Sequence, residues 1–327
     1  MTAPVPNIAM ILAGGTIATT SASRVDLSAY HETGTRLKAA DLLGGLPELD
    51  AIAAVTAVDF RQRSSTAITV ADWLELRALV GSLLVEHDAV VLAHGTNTLE
   101  ETAYFLDLCV PGDRPVVVVG AMRPPSALSS DAALNLLRAV QVAVSSDARG
   151  QGVLVAFNEQ VFLARDVVKT SNQRVDAFGA PDAGPVGFVD STGHVRIDRR
   201  RTQRGPSFDV ASLGDLPRVD LVVSHVGADE VLVDAAVAAG ARGIVSVGTG
   251  AGRATPLEDH ALARAAQAGV VVCRSSRVAA GTVVPTPGTA GLVAGRGLAP
   301  WKARVLLSLA LTVTADPAEI QLLFDQA

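Results

Sequence analysis

The sequence predicts an α/β protein in which helices cover both sides of a parallel β-sheet. Three observations lead there. Short valine-rich apolar runs recur and end in glycine-rich or polar turns. Stretches with helical spacing lie between them. The alternation breaks once, between Arg196 and Pro217, which divides a large first domain from a smaller second one.

The elements follow in order. Ile8–Ala13 is a first strand: IAMILA is too short to span a membrane, has no basic region before it and no small-residue cleavage site after it. Ala71–Val85 reads as a helix, Ala89–Ala93 as a strand, Leu99–Leu108 as a helix and Pro115–Val119 as a strand. Ala132–Val144 is helical and Gly152–Phe157 extended. After the break come strands at Asp220–Ser224, Gly243–Val247 and Val270–Cys273, with a helix at Pro256–Gln267. Runs this apolar suit strands buried on both faces. The break holds RIDRRRTQRG, Pro206 and Pro217, with little apolar periodicity. It is expected to be a solvated linker, although a basic run can also bind an anion. The expected domains are 1–195 and 218–327, joined by 196–217.

Composition sets the outer bounds. The chain has 327 residues, and a typical domain has roughly 100–200, so two are expected. Hydrophobic residues make up 49% and charged residues 18%, which excludes a disordered chain. Aromatics are only 4%, so Ala, Val and Leu fill the core. A net charge of −6 argues against nucleic acid as a partner, because phosphate binding needs a basic surface. Cys109 and Cys273 sit in apolar runs and are expected as buried free thiols, with no metal site between them. A cytoplasmic location follows from this reading of the N-terminus.

Ligands of open parallel sheets bind at the carboxyl ends of strands. Two strand ends stand out here: ILA-GGTIATT and VVLA-HGTNTLEET. Each places glycine, then threonine, directly after an apolar strand. The glycines let the backbone turn sharply and approach a ligand. The helix after the second turn offers free N–H groups to a carboxylate or an oxyanion. A threonine in that position can be a nucleophile. Another reading is available for Thr98, which with Glu101 fits a capping box. No G-x-S-x-G elbow, phosphate loop or H-E-x-x-H motif occurs, and GAGRAT lacks dinucleotide-binding spacing.

The segments ILAGGTIATT, LAHGTNTLEETAYFLDL, VVGAMRPPSALSSDAALNL, DVVKTSNQRVDAF and CRSSRVAAG resemble the bacterial-type L-asparaginase/glutaminase family, in that family's order, from Ile8 to Phe324. The resemblance implies a large flavodoxin-like N-terminal domain with a smaller α/β C-terminal domain. It implies a homotetramer of close dimers acting on a small amide, with no metal or organic cofactor and no membrane. By position it makes Thr16 and Thr96 the family's two threonines, with Tyr30 and Lys169 as their partners. Ser65 matches the serine that holds the substrate's α-carboxylate, flanked by Ser64 and Thr66. The turn glycines Gly15 and Gly95, Asn97, and the backbone of Ala121 complete the substrate-binding set. The chemistry is consistent with these roles: Tyr30 or Lys169 takes a threonine's proton, and turn N–H groups hold the oxyanion.

The chain also departs from the family pattern. The second motif is normally H-G-T-D-T, and here Asn97 replaces the aspartate that binds the α-ammonium. Thr66 stands where glutamine is frequent, and Ala251 where the family has asparagine. The stretch TVVPTPGTAG lacks the glutamate that a neighbouring subunit would supply. Asparagine keeps an acceptor but loses the charge. Loss of a carboxylate beside Lys169 is expected to lower that lysine's pKa. Three readings follow: amide hydrolysis with L-asparagine as default substrate, the same chemistry on a carboxamide without a free α-ammonium, or a non-catalytic ligand-binding relative. Retention of Thr16, Thr96 and Lys169 ranks the last one lowest.

Overall fold

The computed structural model describes residues 5–286, 288 and 291–327, in two units: one through Gln203 and one from Arg204. Residues 287, 289 and 290, part of TVVPTPGTAG, lie outside the described residues.

The first unit is built on an eight-stranded sheet. Its strands are β1 (Asn7–Leu12), β4 (Ala54–Asp59), β5 (Ala89–Ala93), β6 (Val116–Val119), β7 (Val153–Phe157), β8 (Gln160–Leu163), β11 (Gly187–Val189) and β12 (Val195–Ile197). Two small antiparallel pairs stand apart from it: β2 (Thr19–Thr20) with β3 (Thr35–Arg36), and β9 (Val168–Lys169) with β10 (Phe178–Gly179). The sheet order is β12-β11-β8-β7-β6-β5-β1-β4. The five strands from β4 to β7 are parallel, and the remaining three extend the sheet antiparallel. Ranked by sequence, those five run 2-1-3-4-5, the flavodoxin-like order.

The helices of this unit are α1 (Tyr30–Thr33), α2 (Ala39–Gly44), α3 (Val70–Glu86), α4 (Leu99–Cys109) and α5 (Ala132–Val144). One hydrophobic cluster joins α2 and α5 to Ile8, Met10 and Leu12 of β1 and to Val91 and Ala93 of β5. The helices α3 and α4 pack against each other and against β5, β6 and β7. Every residue of β5 and β6 is buried, as unbroken apolar runs require. Both cysteines are buried free thiols, and burial pushes the Cys273 thiol up.

The second unit has a four-stranded parallel sheet: β13 (Val219–Val223), β14 (Gly243–Gly248), β15 (Val271–Ser276) and β16 (Val293–Ala294). Its helices are α6 (Val231–Ala238), α7 (Pro256–Gln267), α8 (Pro300–Ala310) and α9 (Pro317–Gln326). A capping box starts α7: Thr255 Oγ1 accepts the Glu258 N–H at 3.2 Å, and Glu258 Oε2 accepts the Thr255 N–H at 2.9 Å. No described helix is long and apolar enough to cross a membrane.

The basic run does not float between the units. Arg196 and Ile197 belong to β12, and the residues through Gln203 fall in the first unit. Arg201 donates to the buried carboxylate of Asp107 at 2.8 and 3.1 Å, and Arg199 donates to the carbonyls of Ala183 and Gly184. The 196–217 stretch is therefore divided: 196–203 packs on the first unit and 204–217 opens the second. Removing one partner of a buried ion pair costs about 3–5 kcal/mol. Arg201→Ala is thus expected to lower the stability of the first unit by about that much in chemical denaturation. A loss below about 1 kcal/mol, the value of an exposed pair, would show that these arginines are merely solvated.

Candidate active site

The sheet topology brings the two glycine–threonine turns together. β1 and β5 are neighbours, and they flank the point where the strand order reverses. Leu12 and Ala93 are paired, so the two strands end level. The Ala13 N–H donates to the Ala93 carbonyl at 2.9 Å and the His94 N–H to the Val119 carbonyl at 2.8 Å. Beyond that level the backbones close on each other. A Cβ on Gly15 would sit 2.2 Å from the Cα of Gly95, and Gly15 has φ +86°. Any side chain there would force the turns apart. A Cβ on Gly95 would meet Oγ of Ser65 at 2.8 Å.

Each threonine hydroxyl has a hydrogen-bonding side chain beside it. Thr16 Oγ1 and the Tyr30 hydroxyl are 2.8 Å apart, with Tyr30 buried at the start of α1. Lys169 Nζ donates to Thr96 Oγ1 at 2.8 Å and to Asn97 Oδ1 at 3.3 Å. Strand β9 holds the lysine, and its backbone N–H donates to Glu100 Oε1 at 3.0 Å. Burial pulls the Lys169 pKa down from the ordinary lysine range, partly opposed by the negative charge of Glu100. Desolvation is the principal cause of this shift.

Both threonines line one cavity of about 670 Å³, together with Gly15, Tyr30, Ser64, Ser65, Thr66, Gly95, Asn97 and Lys169. Ser65 is buried, and its Oγ accepts the Asn97 N–H at 3.2 Å. Ser64 and Thr66 share a hydroxyl contact at 2.8 Å. Ala121 is buried behind the rim, and the next two residues, Met122 and Arg123, reach the cavity instead. The capping-box reading of Thr98 fails. Its hydroxyl donates to the Ser65 carbonyl at 2.8 Å and makes no bond to its own helix. Thr98 thereby ties the second turn to the segment carrying Ser65.

Sequence reasoning missed part of the lining. His31, Arg36, Arg63, Arg123, Asn172 and Gln173 also face the cavity. Arg123, Asn172 and Gln173 lie inside the motifs MRPPSALSSDAALNL and DVVKTSNQRVDAF, which was the available signal. Arg36 arrives on the β2–β3 pair, and nothing in its local sequence marks it. The charge balance is one-sided: Arg36, Arg63, Arg123 and Lys169 line the cavity, and no aspartate or glutamate among the described residues does. Asp72 pairs with Arg63 at 3.3 Å, whereas neither Arg36 nor Arg123 has a carboxylate partner among the described residues. No group of three His, Cys, Asp or Glu side chains that could hold a metal occurs among the described residues.

Comparison with known proteins bears directly on this site. Residues 7–203 match the family model described as "Asparaginase, N-terminal", and residues 218–324 match "Glutaminase/Asparaginase C-terminal domain". The chain is 39% identical to L-asparaginase 2 of Bacillus subtilis (strain 168), over 98% of this chain and 86% of that one. It is also 39% identical to L-asparaginase 2 of Escherichia coli (strain K12), over 98% of this chain and 93% of the other. A solved structure described as a probable cytoplasmic L-asparaginase from Campylobacter jejuni superposes with a TM-score of 0.94. It shares 36% identity, over 98% of this chain and all of that one. The chain belongs to the asparaginase family, as its motifs implied.

The close approach of the turns is directly testable. Gly15→Ala is expected to lower turnover on the order of 10²-fold, the usual consequence of displacing reacting groups by about 1 Å. Steady-state rates alongside a thermal melt would check this. Full activity would mean that the two turns need not touch.

Proposed function

We propose that this member of the asparaginase family hydrolyses a side-chain carboxamide to a carboxylate and ammonia through a threonine nucleophile, with L-asparagine as the default substrate. The observation that carries the reading is the 2.8 Å contact between Lys169 Nζ and Thr96 Oγ1, in the cavity that also holds the Thr16–Tyr30 pair. A threonine hydroxyl attacks poorly until a neighbour takes its proton. The neutral amine of Lys169 accepts the proton of Thr96, while the Tyr30 hydroxyl relays the proton of Thr16, giving its own to the departing nitrogen as it takes the threonine's. The attacking oxygen bonds to the amide carbon, and the carbonyl electrons move onto oxygen. The C–N bond then breaks, and the departing nitrogen takes up a proton and leaves as ammonia. Water adds to the resulting ester, releasing the carboxylate and the threonine. Backbone N–H groups of the two turns face the oxyanion.

A specific observation favours a second substrate reading at the same site. An α-ammonium held without a counter-charge is costly by several kcal/mol or more. The cavity offers it Asn97 and the cationic side chains of Arg36, Arg63 and Arg123, but no carboxylate among the described residues. A carboxamide whose α-nitrogen is absent or acylated suits that lining better. Beyond the single chain, the reading takes the enzyme as a cytoplasmic homotetramer of close dimers. The solved relative from Campylobacter jejuni is described as cytoplasmic, while a relative from Haemophilus influenzae is named as a probable periplasmic enzyme.

Ammonia release from L-asparagine, L-glutamine and succinamate separates these alternatives. Preference for L-asparagine supports the default substrate, and preference for succinamate the second reading. Saturable binding without turnover of any of the three would indicate a non-catalytic relative. Lys169→Ala is expected to cost about 10²–10⁴-fold in kcat, the range for loss of a general base. Unchanged kcat would remove Lys169 from the mechanism.

The pH profile gives another check. The working form of Lys169 is neutral, so kcat rises with pH through its pKa. Because that pKa lies below the ordinary lysine value, the rise comes earlier than for a solvated lysine. Asn97→Asp adds a negative charge beside the amine, raises the pKa and moves the rise to higher pH. The same change is expected to lower KM for L-asparagine. An unshifted profile in Asn97→Asp would contradict the role assigned to the amine.

A further inference from the structure

His94 precedes the second glycine–threonine turn and is 1% exposed. Its ring sits in a chain of hydrogen bonds whose direction can be worked out. Trp73 Nε1 lies 2.9 Å from Thr102 Oγ1, Thr102 Oγ1 lies 3.2 Å from His94 Nε2, and His94 Nδ1 lies 2.7 Å from the Gly95 carbonyl oxygen. An indole N–H only donates, so Thr102 accepts from Trp73 and has one proton left to give. The Gly95 carbonyl can only accept, so the ring's own proton sits on Nδ1 and is donated to it. Nε2 of the neutral ring is then an acceptor and takes the remaining proton of Thr102. Trp73 and Thr102 are themselves buried, at 5% and 0% exposure.

A trans peptide points its C=O and N–H in opposite directions. Drawing the Gly95 carbonyl onto the buried ring turns the Thr96 N–H the other way. That N–H has no hydrogen-bond partner among the described residues, although Thr96 lines the cavity. The first turn repeats the arrangement by local means. The Gly15 carbonyl accepts from the Ala18 N–H at 3.0 Å and from Thr19 Oγ1 at 2.9 Å, and the Thr16 N–H has no partner among the described residues. In both turns the glycine carbonyl is occupied and the threonine N–H is left available.

We propose that His94 is a positioning residue: through the directed chain Trp73–Thr102–His94 it fixes the Gly95–Thr96 peptide so that the Thr96 N–H is held ready for the oxyanion. The proposal rests on the hydrolytic reading of the site. His94 touches neither substrate nor the nucleophilic hydroxyl in this role. It acts as a fixed neutral donor and not as an acid or base. Burial agrees with that role, pushing the imidazole down to about 4, so the ring stays neutral across the working range.

Kinetics and ring nitrogen spectra together test the assignment. In the full-length enzyme, ¹⁵N-detected imidazole correlations are expected to show His94 as the Nδ1–H tautomer, unchanged between pH 5 and pH 9. His94→Leu removes the donor and is expected to lower kcat about 10²–10³-fold with KM nearly unchanged, the usual effect of losing one oxyanion donor. His94→Asn keeps an N–H within reach of the Gly95 carbonyl and is expected to recover most of that loss at similar thermal stability. If His94→Leu does not fold, Thr102→Val and Thr102→Ser replace it. The valine lacks the directing hydroxyl and is expected to lower kcat, while the serine retains it. An Nε2–H tautomer, a ring titrating near its ordinary value, equal losses in the Leu and Asn variants, or equal rates for Thr102→Val and Thr102→Ser would each overturn the proposal. Thr96→Ala separates this from the underlying reading. If Thr96→Ala is inactive while His94→Leu keeps full kcat, only the positioning role fails. If Thr96→Ala remains active, the assigned chemistry of the Thr96–Lys169 pair fails, whatever the tautomer.

Discussion

The site depends on one steric fact: two backbone turns approach so closely at the ends of β1 and β5 that neither tolerates a side chain at its glycine. Gly15 and Gly95 have no Cβ, and a Cβ on either would overlap the other turn or Ser65. The parallel pairing of β1 and β5 sets this distance, and the reversal of strand order at that pair opens the crevice above it. Two hydroxyls from segments 80 residues apart in sequence then share one cavity. The partners arrive by separate routes, Tyr30 on α1 and Lys169 on β9. A scaffold of fully buried strands holds the turns, and its rigidity is what makes the contacts reproducible.

The electrostatics follow from the same geometry. Lys169 is drawn in until its amine reaches Thr96, and desolvation makes its charged form costlier. Asn97 accepts a hydrogen bond from the amine but offers no charge to stabilise it. Among the described residues the rest of the lining carries three arginines and no acid, which suits an anionic or neutral ligand and disfavours a cationic one. In the proposed function an uncharged side chain at position 97 acts twice, on the readiness of the amine and on the ligand the cavity receives.

Much of this was legible in the sequence, for identifiable reasons. Ala89–Ala93 and Ala132–Val144 were read to the residue, because one is a fully apolar strand and the other ends cleanly in periodicity. The glycine–threonine pairs after strands pointed to the crevice, since strand ends and sharp turns both leave local signals. β4 was not singled out: AVTAVD is largely exposed at the sheet edge and carries no buried run. The antiparallel strands β8, β11 and β12 are three or four residues long and too short for periodicity to register. Thr98 was compatible with a cap by spacing, and only the proximity of Ser65 showed where its hydroxyl goes. Arg36 was invisible for the same reason: its place at the cavity depends on a hairpin with no apolar face. The basic run misled because Arg200 and Arg201 find their partners far off in sequence, 53 residues away at Asp147 and 94 at Asp107.

A crystal structure of the protein with a bound carboxamide or its carboxylate product would test the central claim most directly. The reacting carbon is expected within about 3–3.5 Å of Thr16 Oγ1 or Thr96 Oγ1, the separation of a near-attack geometry. A ligand seated away from both hydroxyls, or a Lys169 amine turned out of the cavity once it is filled, would contradict it.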